Sequence, residues 1–279
     1  MTSSQLVLRS ARHYWRTNLA VVLGVAAAVS VLSGALVVGD SVRGSLREIA
    51  LGRLGQTDYA LSSAGFFRDG LASELQQAGT LRAAPLIATT GLVTLEKSGR
   101  RAAGIQVYGV DARFWEFHGL ATPSGTVLSP ALASELEAAT GDALLVRLQR
   151  PSAIPLESLF GRKEDIGRTV RLDVGGVLAR ERLGEFALYP QQAEVRAVFA
   201  PLTRIQRDLA VAGRVNTLLV DDTGSPPREP NEAMVGAAVQ SALTLEDLGA
   251  AVTVVGESSS FVAVESGNGV LGEALETAA

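Results

Sequence analysis

The chain has 279 residues, 47% of them hydrophobic, with a mean hydropathy of +0.23 and a net charge of −4; that is enough for one large domain or two modest ones with a real core. It has no cysteine, which excludes disulfides, thiolate metal sites and cysteine nucleophiles. Arg9, Arg12 and Arg16 precede the first apolar run, and the remainder carries 22 basic residues against 29 acidic ones, so no basic excess speaks for nucleic-acid binding.

The opening stretch SSQLVLRSARHYWRTN puts Leu8, Ala11 and Trp15 on one helical face and the three arginines on another. It reads either as an amphipathic helix with Tyr14 and Trp15 at an interface, or as a basic flank for insertion. Residues 19–39 then run for 21 positions without a charge. A bilayer core of about 30 Å needs roughly 20 such residues, whereas the apolar part of a signal peptide is about 7–15 residues long. Length therefore argues against an export signal, although Ser33-Gly34-Ala35 resembles a cleavage site. A buried core helix rarely runs this far without a polar face. The pattern predicts a cytoplasmic segment over 1–17 and a transmembrane helix over 18–40. The short arginine-bearing N-terminus stays inside, and everything after Gly39 lies outside.

Within the span, Ala20, Gly24 and Ala28 are four apart, and Ser30 and Gly34 repeat the interval. Small residues at this spacing let membrane helices approach closely. Past Asp40, Val42, Leu46, Ile49, Ala50 and Leu54 continue a helical stripe, which predicts a stalk over 41–55 ended by Gly52 and Gly55.

From residue 56 onward the pattern is mixed α and β. Strands are expected over TDYALSS, APLIATTGLVTLEK, RRAAGIQVYGVD, ALLVRLQ, TVRLDV, AEVRAVFA, VNTLLVDD, AVTVV and SFVAV. Helices are expected from Asp69 to residue 78 with Asp69 as cap, from Ser129-Pro130 to Gly141-Asp142, from Pro201 to about residue 211, and after Asn231. Residues 151–163 read as loose, DTGSPPREPN as a loop, and VLGEALETAA as the start of a helix.

No motif supports catalysis. His13 and His118 fall on either side of the proposed span, so they share no site, and no GxxxxGK[ST] loop, GxGxxG fingerprint or GxSxG elbow occurs. Lys97 or Lys163 beside a serine, and Glu164-Asp165, are no more than random sequence offers. His118 is expected to be an ordinary surface or half-buried residue. Phe114, Trp115 and Phe117 read as core packing beneath a loop, or as an apolar contact for a partner or hydrophobic cargo.

Several stretches together resemble a family. They are RSARHYWRTNL and GDSVRGSL around the span, VYGVDARFW, VLSPALASEL followed by TGDALLV, VRAVFAPLTRIQ and GRVNTLLV. In this order they are similar to the first membrane helix and extracytoplasmic core domain of MacB/FtsX-like ABC transporter permeases. The resemblance implies an α+β fold, with residues 56–279 forming a MacB-like domain of one or two lobes in the bacterial cytoplasmic membrane system. It implies a non-enzymatic permease subunit without a cofactor. Its partners would be a separate ATP-binding subunit, a second permease subunit and a periplasmic adaptor or cargo, with ATP hydrolysis passed outward as mechanical work. The family carries at least three further membrane helices, so the resemblance also implies a fragment or truncated product. Two alternatives stay open: a single-pass sensor exposing an α/β ligand domain, and a membrane-anchored enzyme.

Overall fold

The computed structural model describes residues 3–77, 81–148, 167–222, 232–255 and 261–266. The chain separates into two compact units, Met1–Gly52 and Arg53–Ala279.

The first unit is helical. Helix α1 (Ser3–His13) is followed at Tyr14 by α2 (Trp15–Arg53), and the bonds from Tyr14 N to Ser10 O (3.0 Å) and Asn18 N to Tyr14 O (3.0 Å) carry the helical pattern through the join. At about 1.5 Å per residue, the 39 residues of α2 reach about 58 Å, well beyond the thickness of a bilayer core. Its apolar window has a mean hydropathy of 2.5, and none of its residues is buried. The five glycines in it lie within the unbroken helix, and a methyl group on Gly24, Gly34, Gly39, Gly44 or Gly52 would meet no atom within 4 Å.

The second unit is built on β1 (Tyr59–Arg68), β2 (Leu81–Leu95), β3 (Arg101–Val110), β4 (Thr126–Leu128), β5 (Ala143–Leu148), β6 (Arg168–Val177), β7 (Ala197–Pro201) and β8 (Arg214–Asp222). Their order is β1-β8-β2-β3-β7-β4-β6-β5, and β5 pairs back onto β2. The six strands from β2 round to β5 therefore close into a ring, while β8 and β1 extend from the first half of β2. Strands β3–β7 and β4–β6 are parallel; the other pairs are antiparallel. Closure depends on a bend in β2. Gly91 sits where the β5 backbone crosses, with Arg147 O 2.7 Å from the position a Cβ would take. Opposite it, Gly104 is skipped in the register between Ile105↔Gly91 and Ala103↔Leu92 and adopts φ +66°, a glycine bulge that turns the ladder.

Strand alternation sorts the core into two clusters on opposite sheet faces. Ile105 and Val107 of β3, Val198 of β7 and Leu218 of β8 point into the larger one, which α3 (Leu71–Gln77), α5 (Pro130–Leu136), α6 (Leu202–Leu209) and α7 (Glu232–Ala242) help to close. Tyr108, Phe199 and Leu219 point to the other side, where α4 (Ala112–Phe117) and Phe186 complete an aromatic cluster. Where the β2–β8 ladder ends, the Asn216 side chain continues it: Oδ1 accepts from Ala88 N and Nδ2 donates to Ala88 O, both at 2.8 Å. A hairpin of β9 (Ala250–Val255) and β10 (Phe261–Ser266) pairs Val254 with Val262.

Three boundaries differ from the sequence pattern. Helix α3 starts at Leu71 and not at Asp69, whose carboxylate instead faces Arg113 at 3.6 Å. Helix α5 ends at Leu136, because Glu137 turns into the left-handed region (φ 54°) well before Gly141. The helix of residues 15–53 stops one residue short of Leu54, which lies in the turn that follows. Residues 149–166, 223–231 and 267–279, among them Lys163, Glu164, Asp165 and Asn231, fall outside the described residues.

Candidate functional site

Residues 53–56, at the start of the second unit, pack against the aromatic cluster through a set of polar contacts. Arg53 is almost covered, with 10% of its side chain exposed. It donates to Ala193 O at 3.2 Å, reaches Glu185 Oε2 at 3.4 Å and also donates to Gln191 O. Its own carbonyl accepts from Ala187 N at 3.3 Å. Helix ends leave carbonyls without intrahelical partners; here Ala187, distant in sequence, supplies one of the missing donors.

Two residues on, Gly55 takes φ +62° and lies against the His118 ring, so that an added Cβ would be 2.7 Å from His118 Nδ1. Only glycine combines that backbone with that approach. Gln56 N then donates to His118 Nδ1 at 3.2 Å. Arg82 closes the arrangement from β2: it donates to Gln56 Oε1 (3.1 Å), Asp221 Oδ2 (3.2 Å), Glu116 O (3.2 Å) and Phe117 O, with its guanidinium 5.3 Å from the Phe117 ring centroid.

His118 is buried, 7% exposed, among Phe114, Phe117 and Phe186 at centroid distances of 4.8, 4.9 and 5.5 Å, all edge to face. It is therefore neither a surface residue nor a half-buried one. The sequence gives a reason in retrospect: α4 carries Phe114, Trp115 and Phe117, and the next residue caps the helix from the same side. Burial, with Arg82 adding to it, pushes the imidazole down to about 4, so the ring is neutral near pH 7. Because Nδ1 accepts from Gln56, the proton sits on Nε2, which has no hydrogen-bond partner among the described residues and is enclosed by aromatic rings, whose faces are weak acceptors. A neutral, enclosed imidazole of this kind accepts a bond from the Gln56 backbone and stays uncharged at neutral pH.

A second polar site ties residues 244–249 to β1. Asp247 accepts from Arg68 N and Nε (both 3.0 Å) and NH2 (2.8 Å), and from Thr244 N and Oγ1. Burial alone would raise this carboxyl, but the bonds from Arg68 and Thr244 outweigh it and hold it at about 2.

The structure places the sequence-derived positions as follows. Ala20, Gly24, Ala28, Ser30 and Gly34 all lie exposed on α2, as do Val42, Leu46 and Ile49; Leu54 is half-buried. Phe114, Trp115 and Phe117 are 0, 3 and 3% exposed; Phe114 meets Phe186 and Phe199, Trp115 meets Phe199, and Phe117 meets His118. Gly55 was expected only as an end to the stalk helix, and Arg53, Arg82 and Asp247 had no motif to mark them. Among the described residues, no three His, Asp or Glu side chains group to hold a metal ion.

No curated protein matches the chain. Among solved structures, the chain is similar to the periplasmic region of MacB from Actinobacillus actinomycetemcomitans (12% identity, TM-score 0.42, covering 71% of this chain and 86% of that one). It is also similar to the extracellular domain of the noncanonic ABC-type transporter YknZ from Gram-positive bacteria (8%, TM-score 0.38, 64% and 88%). A third is a domain assigned to a permease of Porphyromonas gingivalis (15%, TM-score 0.38, 70% and 87%). The pattern of one family, described as the MacB-like periplasmic core domain, matches residues 17–226, three quarters of the sequence. The chain belongs to the family of MacB-like periplasmic core domains.

Proposed function

We propose that the chain is part of a permease subunit of an ABC-type transporter or force-transmitting complex, with α2 crossing the cytoplasmic membrane and residues 56–279 outside it. The observation that carries this is the family match over residues 17–226, which takes in an apolar helix with no buried residue. Ala20, Gly24 and Ala28, with Ser30 and Gly34, form the faces against which further membrane helices pack. Val42, Leu46, Ile49 and Leu54 belong to the stalk that leads from the bilayer to the domain. A separate ATP-binding subunit on the cytoplasmic side drives the movement, a second permease subunit pairs with this one, and an adaptor or cargo meets the outer domain. The chain itself performs no catalytic step.

The test is affinity purification of the tagged chain from membranes of its host in mild detergent, followed by an assay of ATP hydrolysis in the eluate. ATPase activity above that of a tag-only control supports the proposal. An eluate without it, from a chain shown to be folded and membrane-bound, contradicts the coupling and leaves the single-pass sensor.

A further inference from the structure

A cavity of about 170 Å³ opens where β3 and β7 end. The two strands are parallel neighbours, with Val110 opposite Pro201, so both leave the sheet in the same direction and continue into α4 and α6. Crevices at the carboxyl ends of parallel strands are common ligand sites in α/β sheets, but the side chains decide what this one can hold.

Its walls include Phe199, Leu202 and Pro123, and its polar groups are of both kinds. Trp115 lines it and is 3% exposed. Its indole N–H donates to no acceptor among the described residues, and Trp115 is one of the residues that line the cavity. A buried indole usually finds an acceptor. Beside it α6 begins at Leu202 with Pro201 at the N-cap and no side chain capping it, so the first-turn amides also lack a side-chain acceptor. Across the cavity stands Asp111, which accepts from Arg113 N and Nε (both 2.9 Å) and pairs with its guanidinium at 2.7 Å. Each carboxylate oxygen keeps acceptor capacity.

We propose that this cavity takes one apolar side chain of a polypeptide partner together with its backbone amide. The partner's carbonyl accepts from the Trp115 indole and the start of α6, its N–H donates to Asp111, and its side chain lies against Phe199, Leu202 and Pro123. An apolar cavity of about 150 Å³ is known to hold a benzene ring, so the volume suits one leucine- or phenylalanine-sized group. A free carboxylate satisfies the donors but faces Asp111, and so fits less well. The proposal does not depend on the membrane assignment above.

The chain has two tryptophans, so Trp15→Phe leaves Trp115 as the only reporter. Full-length protein of this variant in lipid nanodiscs is titrated with N-acetyl-leucinamide, and in parallel with 4-methylpentanoate, which lacks the amide N–H. The expected result is a saturable change in Trp115 emission with a millimolar Kd, weakened about tenfold by the carboxylate, a difference of about 1.4 kcal/mol. Thr203→Phe, at an exposed position on the rim, abolishes the change while circular dichroism stays that of the parent. Trp115→Phe keeps the packing and loses binding by calorimetry. No saturable change, a change that survives Thr203→Phe, full binding by Trp115→Phe, or equal binding of the carboxylate each overturns the proposal.

Discussion

Valine and leucine fill both units of this chain, and they meet opposite surroundings. In the sheet domain Leu132, Val146 and Leu218 are fully buried, whereas on α2 Val31 is 75% and Leu36 67% exposed. Eleven large apolar side chains between Leu19 and Val38 are exposed in this way. Burying each is worth about 1.5–3 kcal/mol, so leaving them in water would forgo on the order of 20 kcal/mol, more than the roughly 5–15 kcal/mol that holds a typical domain together. Composition alone does not make a core: the domain brings its own partners, whereas the apolar side chains of α2 are left uncovered among the described residues, and in our proposal lipid covers them.

Phe199→Ala removes the ring shared by Tyr108, Phe114 and Trp115 and is expected to cost the domain about 3–5 kcal/mol, read from the shift in its denaturant midpoint, with membrane association of α2 unchanged. Val29→Arg should do the reverse. A charge at the middle of a membrane helix costs about 2.5–3.5 kcal/mol, so the fraction of chain resisting alkaline extraction falls, while Val42→Arg, beyond the proposed span, leaves it unchanged.

Acid separates the two polar sites of the domain. His118 titrates near 4 when folded and near 6.5 when free. Between these values the unfolded chain binds the proton that the folded chain refuses. Stability is therefore full above about pH 6.5, declines as the pH drops towards 4 and levels off below, a total of about 3 kcal/mol. Asp247 has the opposite chemistry and the same direction. Its bonds are intact above its free value of 3.8 and are lost as the pH falls through about 2. Urea titrations across pH 2–8 should resolve the two windows, and His118→Gln should erase only the upper one.

The smallest effect lies at the turn after α2. Gly55→Ala imposes left-handed strain and a contact with His118, expected to cost about 1–3 kcal/mol. Because the clash is with the imidazole, His118→Ala should relieve part of it, and the double variant should lose less than the sum of the single ones.

Period and spacing carried much of this architecture. The uncharged run of residues 19–39 and the stripe beyond Asp40 foretell one long helix, and strand alternation foretells most of β1 to β8. Ser129-Pro130 marks the start of α5 because capping is local: Ser129 Oγ accepts from Leu132 N at 3.4 Å. The same hydroxyl also accepts from Ala197 N at 2.9 Å, a long-range use that no local pattern contains. Ring closure was hidden for the same reason, since it rests on Gly91 meeting the carbonyl of Arg147, 56 positions away. The two polar sites of the domain were harder still. Arg53, Arg82 and Asp247 resemble any surface charge until the fold brings their partners to them, and His118 passed for an ordinary histidine because its burial is created by Phe186 from a distant loop.

The most direct test uses the natural absence of cysteine. Single cysteines at Ser10, before α2, and at Ser98, in the exposed turn between β2 and β3, are treated in intact host cells with a membrane-impermeant maleimide. A membrane-spanning α2 with an outer domain predicts labelling at position 98 in intact cells, or after the outer membrane alone is opened, and at position 10 only after lysis. Equal labelling at both positions, or at position 10 alone, contradicts it.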